Sequence, residues 1–253
     1  KLENGLVRMP ESFISSYKSF VESGWFTVAG KKQFGGQDFP WSVLVCINEI
    51  WESANMSFAV NNMLTQGAIE LIQEHGDKTQ KNLYLPNLIS GKYSGTMNLT
   101  EPHAGSDLSD LKTKAEIKNG KYLIKGTKIY ITHGDQDMSE NIIHMVLAKL
   151  PDAPEGNRGI SLFLVPKYYD DEEGNKIKND IKVVSVEHKL GHNASPTCVL
   201  SFGENNECVG EIIGQPHDGL KAMFTMMNNA RLNVGIQGVA IAERSYQRAL
   251  SFA

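Results

Sequence analysis

The 253 residues are enough for one large domain or two smaller ones, and 41% apolar with 21% charged residues is an ordinary globular composition. A formal charge of −4 gives no general basic surface for nucleic acid or an anionic membrane, and no run of about 18 apolar residues is present to span a bilayer. The three cysteines, Cys46, Cys198 and Cys208, are widely spaced and odd in number, so neither a metal site nor a disulfide framework is expected and three reduced thiols are.

The opening KLENGLVRMPESF lacks the order of a secretory signal. Lys1 at the start, and a helical pattern still running at Ala253, suggest an internal piece of a longer protein. Residues 1–92 are read as a helical domain. Phe13, Tyr17 and Phe20 follow Pro10 at helical spacing, FGGQDFP from Phe34 to Pro40 breaks the pattern, and apolar periodicity resumes from Trp41 to Trp51 and from Phe58 to His75. Asp77 resembles an N-cap for a short helix ending at Leu85, before Pro86.

Residues 93–212 favour strands. KYSGTMNL, AEIKNGKYLIKGTKIYIT, NIIHMVLAKL, RGISLFLVP, IKVVSVEH and TCVLSF are β-branched or alternating, with polar and Gly turns between them. Asn119-Gly120 is a hairpin signal, and the strand spacing suggests a small barrel or sandwich. Tyr168 to Asp180 is charged and reads as a solvated excursion. Residues 213–253 are helical again, with Leu220, Met223, Phe224 and Met227 at spacings of three and four. Gly235 and Gly238 there suggest close approach by another helix or a ligand. Helices, then strands, then helices give an α+β multidomain fold: a helical N-terminal domain, a β-barrel or sandwich middle domain, and the start of a helical C-terminal domain. No GxGxxG after a strand and no P-loop motif occurs.

Two stretches carry chemistry. In Met97 to Asp107, MNLTEPHAGSD, a strand end meets a Pro turn and then Ala104-Gly105-Ser106. Small residues there expose backbone N–H groups and a hydroxyl that hold a phosphate without lysine, and Thr100 offers a second hydroxyl to a polar ring edge. In Lys128 to Gly134, KIYITHG, strand alternation puts Tyr130 and Thr132 on one face and Ile131 on the other, an aromatic and a hydroxyl suited to a planar heteroaromatic ligand. His133, His188 and His192 are read as strand-end or surface histidines.

Together, LTEP-x-AGSD and K-x-[aromatic]-IT-x-G about 25 residues later closely resemble the acyl-CoA dehydrogenase family. The FGGQ loop, RGISLFLVP and NNARLNVGIQGVAIAE add to the match, which covers nearly the whole chain. MFTMMNNARLNVGIQG and SVEHKLGHNASPTCVLSF resemble a longer bacterial branch of fatty acyl-CoA and 3-methylmercaptopropionyl-CoA dehydrogenases.

The resemblance implies FAD as cofactor, contacted by Met97, Asn98, Leu99, Thr100, Gly105, Ser106, Tyr130, Ile131 and Thr132, with Tyr130 where the family has Trp or Phe and His103 where many members have Gly. It implies acyl-CoA contacts at Ser106 and Arg231, and at Asn228 where some members have Asp. The implied reaction is α,β-dehydrogenation of an acyl-CoA to a 2-enoyl-CoA, with electrons passing to an electron-transferring flavoprotein. The family's glutamate base stands either just before the helix arginine, where this chain has Ala230, or in the C-terminal domain beyond Ala253. No catalytic residue is therefore expected within this chain, and the chain alone is expected to be inactive. Glu101 is implied to be structural. No metal, nucleic-acid partner or integral membrane segment is expected. A homodimer or homotetramer is, in bacterial cytoplasm or a mitochondrial matrix. An acyl-CoA oxidase, or a non-catalytic flavin- or nucleic-acid-binding relative, is the alternative.

Overall fold

In the computed structural model, which describes residues 1–171 and 173–253, helices and strands segregate along the chain in the predicted order. A hairpin of β1 (Leu2–Glu3) and β2 (Leu6–Val7) precedes α1 (Glu11–Glu22), which begins directly after Pro10. Phe20 of α1 packs edge-to-face on Phe26, Trp51 and Phe58, the geometry that the aromatic quadrupole favours.

Helix α2 (Trp41–His75) takes in both predicted periodic stretches, but it is broken at Asn55, whose φ of −156° and ψ of 94° are not helical. Asn55 Oδ1 accepts the N–H of Phe58 at 3.2 Å, as an N-cap does, so a second limb starts there. Helix α3 (Lys78–Ile89) opens with the expected cap: Gln80 N–H donates to Asp77 Oδ1 at 2.8 Å, and Gln80 Oε1 accepts Asp77 N–H at 3.1 Å. Its predicted end at Leu85 is four residues early. Pro86 forfeits one helical bond, and burial of Leu85, Leu88 and Ile89 keeps the last turn in place.

The strands are β3 (Tyr93–Asn98), β4 (Lys114–Lys118), β5 (Lys121–Thr132), β6 (Asn141–Lys149), β7 (Ile160–Pro166), β8 (Tyr168–Asp170), β9 (Lys176–Lys178), β10 (Ile181–Val186), β11 (Thr197–Phe202) and β12 (Val209–Ile212). Asn119 (φ 52°) and Gly120 (φ 75°) turn β4 into β5, the left-handed pair that a two-residue hairpin needs. Antiparallel pairs β4–β5, β5–β12, β12–β7 and β7–β6 form a ring, closed by the pairing of Lys114 with Lys149. The sequence left barrel and sandwich open, and the pairing is that of a small barrel with extensions. Strand β3 adds in parallel to β6, while β11 and β10 extend the far half of β5. The charged stretch expected to be a solvated excursion is mostly exposed and leaves the main sheet, and it holds the β8–β9 hairpin, because its backbone pairs whatever its side chains carry. β12 was not foreseen.

Two cores share the sheet. Met145, Leu147, Leu162 and Leu164 face the helices, while Val146, Ala148, Phe163 and Val165 face the barrel interior. Burial on both sides explains why β6 and β7 read as continuous apolar runs. Val7 and Met9 belong to the barrel core. Strand β3 lies directly on α2: a Cβ on Gly95 would stand 2.3 Å from the Ala68 Cβ, so only glycine permits the approach. The last element, α4 (Gly219–Phe252), packs on α2, β6 and β7. Gly235 and Gly238 meet nothing within 4 Å, so the close packing expected of them is not made within this chain among the described residues.

Candidate flavin-contacting surface

Strand β3 ends at Asn98, and the chain then folds into a tight turn. Glu101 N–H donates to Ala104 O at 2.8 Å, and Ala104 N–H donates back to Glu101 O at 3.1 Å. The Glu101 side chain points inward and is 3% exposed. Its carboxylate accepts the N–H of Lys112 (2.7 Å), the N–H of Thr113 (3.0 Å) and the Thr113 hydroxyl, and it faces Lys128 Nζ at 2.9 Å. Lys128 is wholly buried and also donates to Leu99 O at 3.0 Å. Burial alone would raise the Glu101 carboxyl, but the Lys128 ammonium and the Thr113 and Lys112 bonds outweigh it and hold it below the usual carboxylate range. Burial pulls Lys128 down to about 8 despite the attraction of Glu101.

This pair fastens the first motif to the second. Ile129 N–H on β5 also donates to Thr100 O at 2.9 Å, so Thr100 lies beside Tyr130. On its other side Gly105 is close enough that a Cβ there would sit 3.5 Å from the Thr100 methyl. Gly105 and Ser106 are exposed, and their N–H groups, with the hydroxyls of Thr100, Ser106 and Thr132, have no hydrogen-bond partner among the described residues. Unused donors and hydroxyls thus lie on a turn and a strand that are tied together at Thr100.

Tyr130 departs from the plain strand that was expected. Lys128 pairs with Leu200 and Ile131 with Cys198, so two residues of β5 face the single Val199, and Tyr130 takes φ 59° in the resulting bulge. Its side chain is 61% exposed, Thr132 is half-buried and Ile131 is 1% exposed, which preserves the predicted division of faces. Left-handed backbone at an aromatic residue is strained, and such strain concentrates at functional sites.

Not every residue of the set is on that surface. Asn98 is fully buried with its Nδ2 donating to Thr96 Oγ1 at 2.9 Å, and Ile131 is buried too, so neither presents an exposed side chain to a ligand. Met97 and Leu99 are half-buried and pack on the helical core. Asn228 and Arg231 lie on α4, where Arg231 Nη1 donates to Asn228 Oδ1 at 2.8 Å and the guanidinium stands 5.6 Å from the Phe224 ring centre. His188 and His192 are exposed as expected. His133 ends its strand as expected, but it is wholly buried rather than at the surface. Burial lowers its pKa to about 3 and keeps it neutral. Lys128 was passed over in the sequence: plain alternation puts it on the face of Tyr130 and Thr132, and only the bulge turns it inward beside Ile131.

Comparison with known proteins gives the family. The family models for the acyl-CoA dehydrogenase N-terminal domain and middle domain match residues 5–92 and 96–204. The chain belongs to the acyl-CoA dehydrogenase family. It is 49% identical over 255 residues to the 3-methylmercaptopropionyl-CoA dehydrogenase of Ruegeria pomeroyi, a match over 100% of this chain and 43% of that protein. It is 36% identical to the broad-specificity linear acyl-CoA dehydrogenase FadE5 of Mycobacterium tuberculosis, over 98% of this chain and 41% of that one. The chain thus spans less than half the length of these acyl-CoA dehydrogenases. Among solved structures, butyryl-CoA dehydrogenase from Megasphaera elsdenii superposes with a TM-score of 0.78 at 23% identity, over 98% of this chain and 61% of that one. An acyl-CoA dehydrogenase from Bacillus anthracis complexed with FAD superposes with a TM-score of 0.75 at 26% identity, over 92% and 38%.

Proposed function

We infer that this chain is the flavin-contacting part of an FAD-dependent acyl-CoA dehydrogenase, which oxidises an acyl-CoA to a 2-enoyl-CoA and passes the electrons to an electron-transferring flavoprotein. The observation that carries the reading is the Thr100–Ile129 hydrogen bond, which joins the small-residue turn to the Tyr130-Ile131-Thr132 strand beside unspent donors. Those groups fit FAD. Tyr130 offers an exposed ring for a flat heterocycle, Thr100 and Thr132 offer hydroxyls to its polar edge, and the Gly105 and Ser106 N–H groups suit a phosphate. FAD held there would supply the redox chemistry, as acceptor of the hydride.

The chain's own task is placement. The buried Glu101–Lys128 pair holds the turn in register with β5, and Arg231 with Asn228 offers polar contacts to the CoA thioester. Removal of the α proton requires a carboxylate with a raised pKa. Glu101 is the opposite, a carboxylate with its pKa held down and its lone pairs spent. Ala230 occupies the position before Arg231. Burial does raise the carboxyls of Glu52 and Glu70, but Gln237 and Asn229 of α4 hold them in the α2–α4 seam, so this reading puts the base outside these 253 residues and expects this chain alone not to oxidise acyl-CoA. A homodimer or homotetramer in bacterial cytoplasm completes the reading.

The test uses the full-length protein. Anaerobic addition of saturated acyl-CoA thioesters is expected to bleach its flavin absorbance and yield one 2-enoyl-CoA per flavin. Protein purified without flavin that also fails to take up added FAD would overturn the reading. Stoichiometric peroxide in air would convert it to an oxidase.

A further inference from the structure

The stretch that carries Ile131 and Thr132 is bent at both ends. Tyr130 has φ 59° in the bulge and His133 has φ 50°, so two residues with side chains hold left-handed backbone on either side of it. A residue held in that region costs about 1–3 kcal/mol and persists only where its surroundings fix it. At Tyr130 the unequal pairing with β11 does so. His133 is fixed by other contacts, and nothing in the reading above uses its wholly buried ring.

Those contacts all run to the segment that leads into β11. His133 N–H donates to Pro196 O at 2.7 Å. Its ring Nε2 shares a hydrogen bond with the Ser195 hydroxyl at 3.3 Å. Ser195 is itself 3% exposed, and its carbonyl accepts Lys189 Nζ at 2.6 Å. Gly134 N–H then donates back to Ile131 O at 3.2 Å and closes the turn. A Cβ on Gly134 would stand 2.9 Å from the Cys198 Cβ, so the turn lies hard against β11. Thr132 pairs with Thr197 on that strand. The ring contact therefore ties the two strands together just beyond the pair that carries the Thr132 hydroxyl. The ring does this as a neutral group, because burial keeps it unprotonated near pH 7.

We propose that His133 is a positioning residue for the flavin: through Ser195 it sets the direction in which the Thr132 hydroxyl meets the polar edge of the ring. The proposal rests on the flavin reading given above. It separates two roles that His133 could have. If only the left-handed backbone matters, asparagine, which tolerates that conformation well, replaces it. If the bond to Ser195 matters, asparagine is too short, and glutamine, whose Nε2 reaches as far as the histidine Nε2, replaces it instead.

The experiment measures FAD dissociation constants of the full-length protein after flavin removal, with a melting curve for each variant. His133→Ala and Ser195→Ala are each expected to weaken FAD about tenfold, the worth of one hydrogen bond to the ring edge. The double variant is expected to be no weaker than either single one, because both remove the same contact. His133→Gln is expected to bind FAD like the native protein although it melts lower, and His133→Asn to melt higher than His133→Gln yet bind like the alanine variant. Unchanged affinity in Ser195→Ala overturns the proposal, as does rescue by asparagine or an additive double variant. Ser195→Ala, which removes a single oxygen, decides the matter if His133→Ala fails to fold. A native flavoprotein that no acyl-CoA bleaches would overturn the dehydrogenase reading alone, and the FAD affinities would still decide this one.

Discussion

At the scale of single residues, the motif depends on a charge pair that touches no ligand. Glu101 and Lys128 are buried against each other. Removing one partner of such a pair strands the other in a dry site, at a cost of about 3–5 kcal/mol. Lys128→Met is expected to lose that much stability in urea unfolding and to lower flavin per chain. Adding Glu101→Gln is expected to restore most of the stability. A single variant as stable as the native chain would show that the turn is held by other contacts. The turn that carries Thr100, Gly105 and Ser106 and the strand that carries Tyr130 and Thr132 were legible in the sequence because each motif is local. The tie between Glu101 and Lys128 was not, because nothing in the 26 intervening residues marks which buried lysine meets which buried acid.

At the scale of elements, two contacts set where the motif strand lies. Gly95 lets β3 rest on α2, and Gly95→Ala would drive a methyl into Ala68. Overpacking of this kind costs about 1–3 kcal/mol, and here it also displaces the strand that leads to Thr100. The variant is expected to melt lower and to hold less flavin, as a thermal scan and an absorbance ratio would reveal. The second contact is the seam between α2 and α4. Glu52 is 3% exposed, and burial raises its pKa to about 7, although Gln237 Nε2 donates to it at 3.0 Å. Below pH 4.5 both folded and unfolded chains hold this proton. As pH rises from 4.5 to 7 the unfolded chain releases it first, so this group's contribution to stability falls through that window and the loss is complete above 7. Glu52→Gln is expected to match the native chain near pH 4.5 and exceed it by on the order of 2–3 kcal/mol at pH 8. A constant difference across pH would refute this assignment. The β4–β5 hairpin was legible because Asn119-Gly120 encodes its own turn. β12 was not, since Gly210 and Glu211 interrupt the apolar signal in a strand stabilised by neighbours on both sides.

At the scale of the whole molecule, α4 leaves much apolar surface uncovered. Leu232, Val234, Val239, Tyr246 and Leu250 are each more than half exposed. Apolar patches of that extent seek partners. These 253 residues on their own are expected to self-associate at micromolar concentration, and Leu232→Glu with Val239→Glu to restore a monomer in sedimentation velocity. A native chain that sediments as a monomer would contradict this. The order of helical and β-rich segments was readable from texture alone. How the segments dock was not, because the contacts that join them are separated by most of the chain.

The break at Asn55 has a consequence for synthesis. Asn48 and Glu52 meet Asn233 and Gln237 in register, whereas Glu70 and His75 meet Asn229 and Thr225 in the reverse order, so the two limbs of α2 grip α4 from opposite directions. Asn48 and Asn233 are 185 residues apart. At about 5–20 residues per second, a ribosome leaves the two limbs waiting roughly 10–40 seconds for the helix they will clasp. An oily seam would invite aggregation during that delay. The stretch lined by Asn48, Glu52, Asn233 and Gln237 stays wetted, while the second limb adds apolar contacts through residues such as Leu64, Met223 and Met226.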